Sequence, residues 1–195
     1  PVVMDGRTGS MRLTQNLAAG WQVVAHAMRQ RLDSDDRIAF PFGCSAENDY
    51  TRYCSDGSFD LYDFRSEGER RTTDALDVAI TGTLSLGGLQ HQVTAGLLRT
   101  RLQSTFQRQA YNWVGVGTID GLSVTPADPS LTDENTQRDE RSTEVRLQDQ
   151  VALGPATRLW AGVRHTAMDR RSVRTDGSRP TAYSQSFTTP WLAIS

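Results

Sequence analysis

The stretch that decides the fold is residues 75–86, Ala-Leu-Asp-Val-Ala-Ile-Thr-Gly-Thr-Leu-Ser-Leu. Its even positions carry leucine, valine, isoleucine and glycine, whereas its odd positions carry alanine, aspartate, threonine and serine. Successive side chains of a β-strand point to opposite faces, so this alternation predicts a strand with one apolar and one polar face. Residues 143–153 repeat the pattern, and Asp149 is the one exception on their apolar side.

The same alternation continues in both directions along the chain and is stronger than any helical periodicity. In 91–108 the apolar residues change parity between Leu97 and Leu98, which indicates either a β-bulge or a misassigned strand. A strand near the end of the sequence brings the predicted number to about seven. The other six predicted strands pair as hairpins across short turns: 9–17 with 21–32, 70–86 with 91–108, and 139–153 with 158–171.

Long polar segments separate the hairpins, and all of them fall at the end opposite the short turns. They are residues 33–69, 109–138 and 172–184. Most loops of compact soluble domains have about 4 to 6 residues, whereas transmembrane barrels combine tight periplasmic turns with long outer loops. The predicted fold is therefore all-β: an antiparallel up-and-down meander, a section of a large transmembrane β-barrel with short periplasmic turns and long extracellular loops. From the alternating runs alone, half-buried strands of a soluble sheet fit equally well.

Composition excludes several classes of function. The chain has 195 residues, a net charge of −2 and 21 basic side chains, all of which are arginine. The balanced charge argues against a nucleic-acid partner held by a basic surface, and the absence of lysine excludes enzymes that need their own catalytic lysine. Because the sequence starts at Pro1 and ends within an alternating apolar run, we expect a fragment of a longer protein.

The residues that could carry chemistry predict no catalytic site. Cys44 and Cys54 are the only cysteines, and their position in a predicted external loop favours a disulfide over two free thiols. The three histidines show no ligand spacing, and the acidic run 133–140 lacks the order of a calcium-binding loop, so we predict no metal site. No hydrolase or dinucleotide-binding motif is present, which argues against an enzyme.

Trp21, after the first short turn, is the candidate for an aromatic girdle, whereas Trp160 is expected to face the barrel lumen.

Three short segments resemble TonB-dependent siderophore receptors: His-Gln-Val-Thr-Ala-Gly-Leu at 91–97, Leu-Trp-Ala-Gly-Val-Arg-His at 159–165 and Phe-Thr-Thr-Pro-Trp-Leu-Ala at 187–193. The resemblance implies a large outer-membrane barrel, plugged by a globular domain, that imports ferric siderophores with energy from the TonB complex. It identifies residues 1–195 as a partial barrel without the plug domain through which TonB would act. It also implies a location in the bacterial outer membrane, contact with its lipid, and no protein cofactor, because the iron arrives already chelated.

Aromatic and arginine side chains are frequent in the first two long segments and suit the capture of an anionic chelate with aromatic or hydroxamate groups. From them we predict ligand contacts at Tyr111, Trp113, Arg65 and Tyr62. Packing of the loops on one another is the plainer explanation for most of these residues. The alternatives for the whole protein are a different outer-membrane barrel, either a porin or a receptor for vitamin B12, haem or a sugar, and a soluble secreted β-sandwich that binds a ligand.

Overall fold

The computed structural model describes residues 2–121 and 130–195, which form one antiparallel sheet. The neighbouring strands of the sheet follow the order β1-β2-β3-β4-β6-β7-β8, and β5 pairs with β3 outside this path. The strands are β1 (Val2–Asn16), β2 (Gln22–Pro41), β3 (Ser58–Leu86), β4 (Leu89–Thr105), β5 (Ala110–Thr118), β6 (Thr136–Ala152), β7 (Arg158–Arg174) and β8 (Thr181–Ile194). The predicted all-β antiparallel meander is confirmed, with β5 as a strand that the sequence did not reveal.

The sheet has one apolar and one polar face, as the alternation predicts. Leu13, Ala25, Val78, Leu97 and Val145 are successive partners across five strands, and their side of the sheet is called the apolar face below. The other side, which carries their chain neighbours, is called the polar face.

No second layer of protein covers the apolar face within the part of the chain that the structure describes. Among the described residues the only buried hydrophobic ones are Cys44 and Ala110, whereas Leu13 is 62% exposed and Leu192 is 71% exposed. A soluble β-sandwich buries such residues between two packed sheets. The described sheet has no such partner, so its exposed leucine and valine residues contradict the sandwich.

The apolar side chains form a band that crosses the strands obliquely. In β1 the band lies at Met11 and Leu13, and the β8 residue in the row of Leu13 is the polar Thr188. The apolar residues of β8, Leu192 and Ile194, lie further towards the short turns. Strands of a barrel are tilted from its axis. An apolar band of constant height around a barrel therefore occupies a position that shifts along the chain from each strand to the next.

Short turns join the hairpins at one end of the sheet, as predicted. β3 and β4 meet in a two-residue turn in which Gly87 and Gly88 have φ values of 59° and 78°. Two consecutive positive φ angles match the strand twist of a tight hairpin and are easily adopted only by residues such as glycine. No helix within the described residues is long and apolar enough to cross a membrane.

The predicted long loops are wrong in extent, because much of each is paired strand. β2 reaches Pro41, and β3 runs for 29 residues from Ser58, so only 42–57 connects them. The segment 109–138 contains β5 and the start of β6, although its residues 122–129 lie outside the described part of the chain, and 172–184 shrinks to 175–180. About 9 to 11 residues cross the hydrocarbon. A strand that continues beyond this length, with water on both faces, needs no apolar alternation. The sequence pattern therefore does not reveal these extensions.

Neither explanation offered for the change of parity at Leu97–Leu98 holds: the strand is present, and it has no β-bulge there. β4 pairs without interruption with β3 and β6, so Leu98 lies on the polar face. One register shift lies between β3 and β5 at Leu61 and Tyr62, and another lies between β2 and β3, where Ser34 to Asp36 oppose Ser66 to Glu69. There Gly68, with a φ of 63°, supplies the extra residue, and its N–H donates to Asp35 Oδ1 at 2.6 Å.

Glycines let large side chains lie flat on the sheet. On the polar face the Arg146 guanidinium passes over Gly96 of β4 and donates to Asp77 of β3 at 2.7 Å, so two strands that are not neighbours are tied together. On the apolar face a Cβ at Gly82 would collide with the Trp21 indole. Trp21 therefore lies on the apolar face at the turn end, as predicted for a girdle residue, and Trp160 lies on the polar face through its pairing with Gln150.

Candidate functional site

A group of aromatic rings lies at the end of the sheet opposite the short turns. The rings of Tyr62 and Tyr111 are stacked, with centroids 5.0 Å apart and an interplanar angle of 29°. Phe40 lies 5.5 Å from Tyr111, and Phe42 meets Tyr62 edge-on at 6.0 Å. Tyr50 adds a fifth ring, 6.5 Å from Phe42. These five residues are called the aromatic cluster below.

Strand pairing explains why the cluster forms. Phe40 of β2 is the direct partner of Tyr62 in β3, and β5 places Tyr111 opposite Phe64. Direct partners in an antiparallel sheet lie on the same face. β2 has no extra residue between His26 and Phe40, so the even-numbered residues of β2 stay on one face. The cluster therefore belongs to the polar face, and it lies beyond the alternating part of the strands, at the end opposite the short turns.

Trp113 is held beside the cluster by a buried carboxylate. It is the partner of Tyr62 across the β3–β5 pair, and its indole Nε1 donates to Asp60 Oδ1 at 3.0 Å while 55% of the residue stays exposed. Asp60 is only 3% exposed and also accepts from the backbone N–H and the hydroxyl of Ser45, at 2.6 and 2.8 Å. Burial acts to raise the pKa of the Asp60 carboxyl, but these donors outweigh burial and lower it. The carboxylate is therefore ionised at neutral pH.

The disulfide loop is joined to the same carboxylate. Cys44 and Cys54 form the predicted disulfide, and Cys44 is completely buried. Cys44 also exchanges backbone hydrogen bonds with Asp49, at 2.7 and 3.0 Å. Because Ser45 directly follows Cys44 and donates to Asp60, the loop, β3 and Trp113 form one connected unit.

The fourth predicted contact, Arg65, lies elsewhere. It is one residue out of phase with Tyr62 and Phe64, so it points to the opposite face of β3. Its guanidinium pairs with Glu67 at 2.6 Å, and Arg37 pairs with the same carboxylate. Burial acts to raise the pKa of Glu67, but the two arginines outweigh burial and lower it. The structure thus brings together Tyr62, Tyr111 and Trp113, but not Arg65.

Sequence reasoning missed Phe40, Phe42 and Asp60 as members of this site. The run Phe40-Pro41-Phe42 was a visible aromatic signal, whereas Asp60 is one of many loop acids and gains its role only through the pairing of β3 with β5. Burial also raises the pKa of the Tyr62 phenol, which keeps its hydroxyl protonated. In 2–121 and 130–195 no group of histidine, cysteine and acidic residues could hold a metal ion. The site therefore offers aromatic surface and hydroxyl groups.

Three solved structures resemble this chain over nearly its whole length. The ferric preacinetobactin receptor BauA from Acinetobacter baumannii matches 99% of this chain and 28% of its own, with a TM-score of 0.72 and 15% identity. The ferric-catecholate import receptor Fiu from E. coli K12, in its open form, matches 99% of this chain and 32% of its own, with a TM-score of 0.74 and 11% identity. The siderophore receptor PiuA from Acinetobacter baumannii matches 98% and 29%, with a TM-score of 0.60 and 16% identity.

These likenesses concern the fold. No protein-family model matches the sequence, and no curated protein matches it. The three similar structures are receptors and not enzymes. The chain spans less than a third of the length of each of them. It therefore has the fold of a section of the β-barrel of siderophore receptors, as the resemblance in its sequence implied.

Proposed function

We propose that this chain is part of an outer-membrane receptor that binds ferric siderophores and imports them with energy transmitted by TonB. The observation that carries the proposal is the aromatic cluster, which lies at the loop end of a sheet that has the fold of siderophore receptors. Residues 1–195 would form part of the barrel wall. A plug domain encoded elsewhere in the full-length protein would contact TonB.

The orientation of the sheet follows from its two faces. The exposed apolar band would contact lipid, and the polar face would line the barrel interior. The ends that carry the short turns would then lie in the periplasm, and the aromatic cluster would lie on the outer side. A ligand that arrives from outside would meet the cluster before it meets the ion pairs deeper in the lumen, such as Arg146 with Asp77.

The chemistry of the cluster suits a chelate with apolar or aromatic surface. Tyr62, Tyr111 and Trp113 present rings to the interior, and stacking on such rings contributes beyond the area that it buries. Phenol hydroxyls can donate to the oxygens of a chelating group. No protein ligand to iron is required, because the iron would arrive inside the chelate. Arg65 remains a proposed contact, but its pairing with Glu67 predicts the smallest effect of the four.

Uptake of individual ferric siderophores by a receptor-deleted strain that carries the full-length gene tests the function. We expect iron-limited growth with at least one siderophore, and only when TonB is functional. A barrel that instead conducts ions passively in bilayers and needs no TonB would be a porin. Growth restored only by vitamin B12, haem or a sugar would assign the barrel to another receptor class, and either result would contradict the proposal.

Alanine substitutions test the site. Loss of a single stacked ring at Tyr62, Tyr111 or Trp113 should weaken binding of the transported chelate about threefold to tenfold. Titration of the purified full-length variants with that chelate measures the affinity. Tyr183→Ala, in β8 and outside the cluster, is the matched control and should leave the affinity unchanged. Unchanged affinity in all four predicted contacts, including Arg65→Ala, would remove the assignment.

A further inference from the structure

Arginine dominates the charge on the polar face of β6 and β7. The even-numbered residues of both strands belong to that face, because Val145 and its partner His165 lie on the apolar one. They include six arginines and two glutamates. The arginines, called the arginine surface below, are Arg138, Arg146, Arg158, Arg164, Arg170 and Arg174. They extend from the loop end of the sheet to the end that carries the short turns.

Few acidic residues neutralise this surface. Within the described strands, the polar faces of the flanking strands β4 and β8 carry no charged residue. From β3, Asp77 reaches Arg146 at 2.7 Å. In the turn after β7, hydrogen bonds from Ser178 and the charge of Arg174 lower the pKa of Asp176. The six arginines still outnumber these two aspartates and the two glutamates together.

The arginines are also more exposed than the glutamates beside them. Glu144 lies 3.8 Å from Arg146 and 3.3 Å from Arg164, and its side chain is 15% exposed, whereas that of Arg164 is 52% exposed. Deeper shielding of the acid recurs at the next pair, in which Glu140 is 17% exposed and Arg170 is 44% exposed. A solute at the polar face would therefore meet guanidinium groups before carboxylates.

A pocket on this surface lies far from the aromatic cluster. Its volume is about 300 Å³, and Arg146, Arg164 and Trp191 are among its lining residues. The Trp191 indole lies over Gly162 of β7, where a Cβ would collide with it. Because Arg146 directly follows Val145 of the apolar face, the pocket lies at the level of the apolar band. It therefore combines a flat ring with exposed positive charge deep in the proposed interior.

Charge of one sign on the wall of a confined space raises the local concentration of opposite ions. A planar guanidinium that is always charged also suits anionic oxygens such as those of carboxylates. The aromatic cluster, in contrast, consists of uncharged rings, and stacking on them does not require a charged ligand. The feature that can distinguish ligands by charge is therefore the arginine surface.

We propose that the arginine surface is the path along which the chelate crosses the barrel, that the pocket at Arg164 and Trp191 is a second binding site on it, and that this path selects ferric chelates of net negative charge over uncharged ones. The inference rests on the receptor function and the orientation proposed above, and it names the class of substrate. Each positive charge that is removed should slow the passage of an anionic chelate about threefold.

Uptake of radioactive iron by cells that carry the full-length receptor tests the selection. The probes are a ferric tris-catecholate, which is anionic, and a ferric tris-hydroxamate, which is uncharged. At saturating concentrations we expect wild type to import the catecholate faster, and R164Q and R164Q/R170Q to import it about threefold and about tenfold more slowly than wild type. Arg171→Gln is the matched control: it removes the same charge from the apolar face of β7 and should leave both rates unchanged.

Two uptake results would overturn the proposal. One is import of the hydroxamate at a rate equal to or above that of the catecholate. The other is equal slowing of both chelates in R164Q/R170Q, which would assign the arginines to the structure of the receptor or to its plug domain and not to the passage of anions.

A spin label at Thr166, between Arg164 and Arg170 on the polar face, measures the local charge without transport. In the full-length receptor in lipid vesicles, we expect chromium oxalate, which is anionic, to collide with the label more often than an uncharged nickel chelate. In R164Q/R170Q the ratio of the two collision rates should fall about threefold to tenfold. An unchanged ratio, or exclusion of both reagents, would overturn the proposal. A receptor that shows the expected ratios but imports no siderophore would keep the anionic path and contradict the receptor function, so the two failures are distinguishable.

Discussion

Asp149 is the residue that breaks the apolar alternation of β6, and its neighbour explains how the strand tolerates it. Its carboxylate oxygen Oδ2 lies 2.6 Å from His91 Nδ1 on the apolar face. The other oxygen, Oδ1, is buried without a hydrogen-bond partner among the described residues. A polar group at a lipid-facing position is costly unless it is paired. The histidine and the aspartate therefore act as one polar pair inside the apolar band.

Removal of one partner of this pair should cost more than removal of both. We expect His91→Leu to lower the free energy of unfolding by about 1 to 3 kcal/mol, because Asp149 then loses the one side-chain partner it has among the described residues. The double variant His91→Leu with Asp149→Leu should return close to wild-type stability, because both polar groups are gone. Urea unfolding of the full-length barrel in lipid vesicles measures both values. Additive losses in the double variant would show that the two side chains do not stabilise each other.

Gly82 has no side chain, and this allows the Trp21 indole to pack directly on the sheet. Because the Trp21 indole covers its Cα, Gly82→Ala should displace the ring from the sheet and lower the free energy of unfolding by about 1 to 3 kcal/mol. Gly9→Ala is the matched control, since it adds the same methyl group to a strand glycine with open space around it. Denaturant unfolding of the two variants in the same lipid measures their free energies of unfolding. Equal stabilities would contradict the proposed packing of Trp21 on Gly82.

At the scale of elements, the upper part of β3 organises the outer end of the sheet. It pairs with β2 on one side and β5 on the other, and Asp60 within it binds both the disulfide loop and Trp113. Chain closure by the disulfide should stabilise this region by about 2 to 3 kcal/mol in the loop-entropy account. These connections hold the rings of the aromatic cluster in fixed positions relative to one another.

The tie through Asp60 should depend on pH with a defined sign. The folded pKa of Asp60 is lowered, so its stabilising effect is full above the unfolded pKa, about 3.9, and is lost as the pH falls through the folded value. Hydrogen exchange of residues 44–60, corrected for intrinsic rates, should show strong protection at pH 7 and weaker protection near pH 3. Asp60→Asn, which cannot titrate, should weaken this pH dependence; the remainder would come from Glu47, Asp49 and Asp56, whose pKa values are also lowered by hydrogen bonds. Identical pH profiles for the two proteins would contradict the role of the carboxylate.

The sequence predicts the alternating part of each strand well, because the proposed contact with lipid on one face and with a polar interior on the other would enforce alternation. Leu76 to Leu86 and Val145 to Val151 show that pattern directly. The sequence pattern fails at the loop end of the sheet, where β5 and the first half of β3 would face water on both sides in the proposed orientation. The bulge at Gly68 escaped notice because a glycine among charged residues looks like a turn. Leu98 lies on the polar face, which also accepts some leucine residues, so its position suggests a change of parity that the strand does not make.

The residues of the ligand site could be predicted in part from the sequence, but their arrangement could not. Tyr62, Tyr111 and Trp113 were predicted from composition, since aromatic residues in outer loops suggest recognition. Their mutual stacking depends on the pairing of β3 with β5, a long-range contact that no local pattern encodes. The prediction of Arg65 rests on its residue type alone. The residue added by the bulge and the register of β3 decide which face it occupies.

At the scale of the whole molecule, the sheet is an open strip whose edges are β1 and β8. The two edge strands are exposed along their whole lengths and do not pair with each other. Long unpaired edges invite pairing with further strands. This agrees with a section of a larger barrel in which other strands continue the sheet on both sides. The central claim is then that one face of the strip meets lipid and the other meets the interior.

Spin labels on adjacent residues of β3 test this claim most directly. Single cysteines at Val78 and Ala79 of the full-length receptor in lipid vesicles would be labelled, since the only native cysteines of this chain are joined in a disulfide. The label at Val78 should be accessible to oxygen dissolved in lipid and inaccessible to a water-soluble paramagnetic reagent, whereas the label at Ala79 should be inaccessible to lipid oxygen. Exclusion of both reagents from Val78, as expected between two stacked sheets, or the reverse pattern would contradict the account.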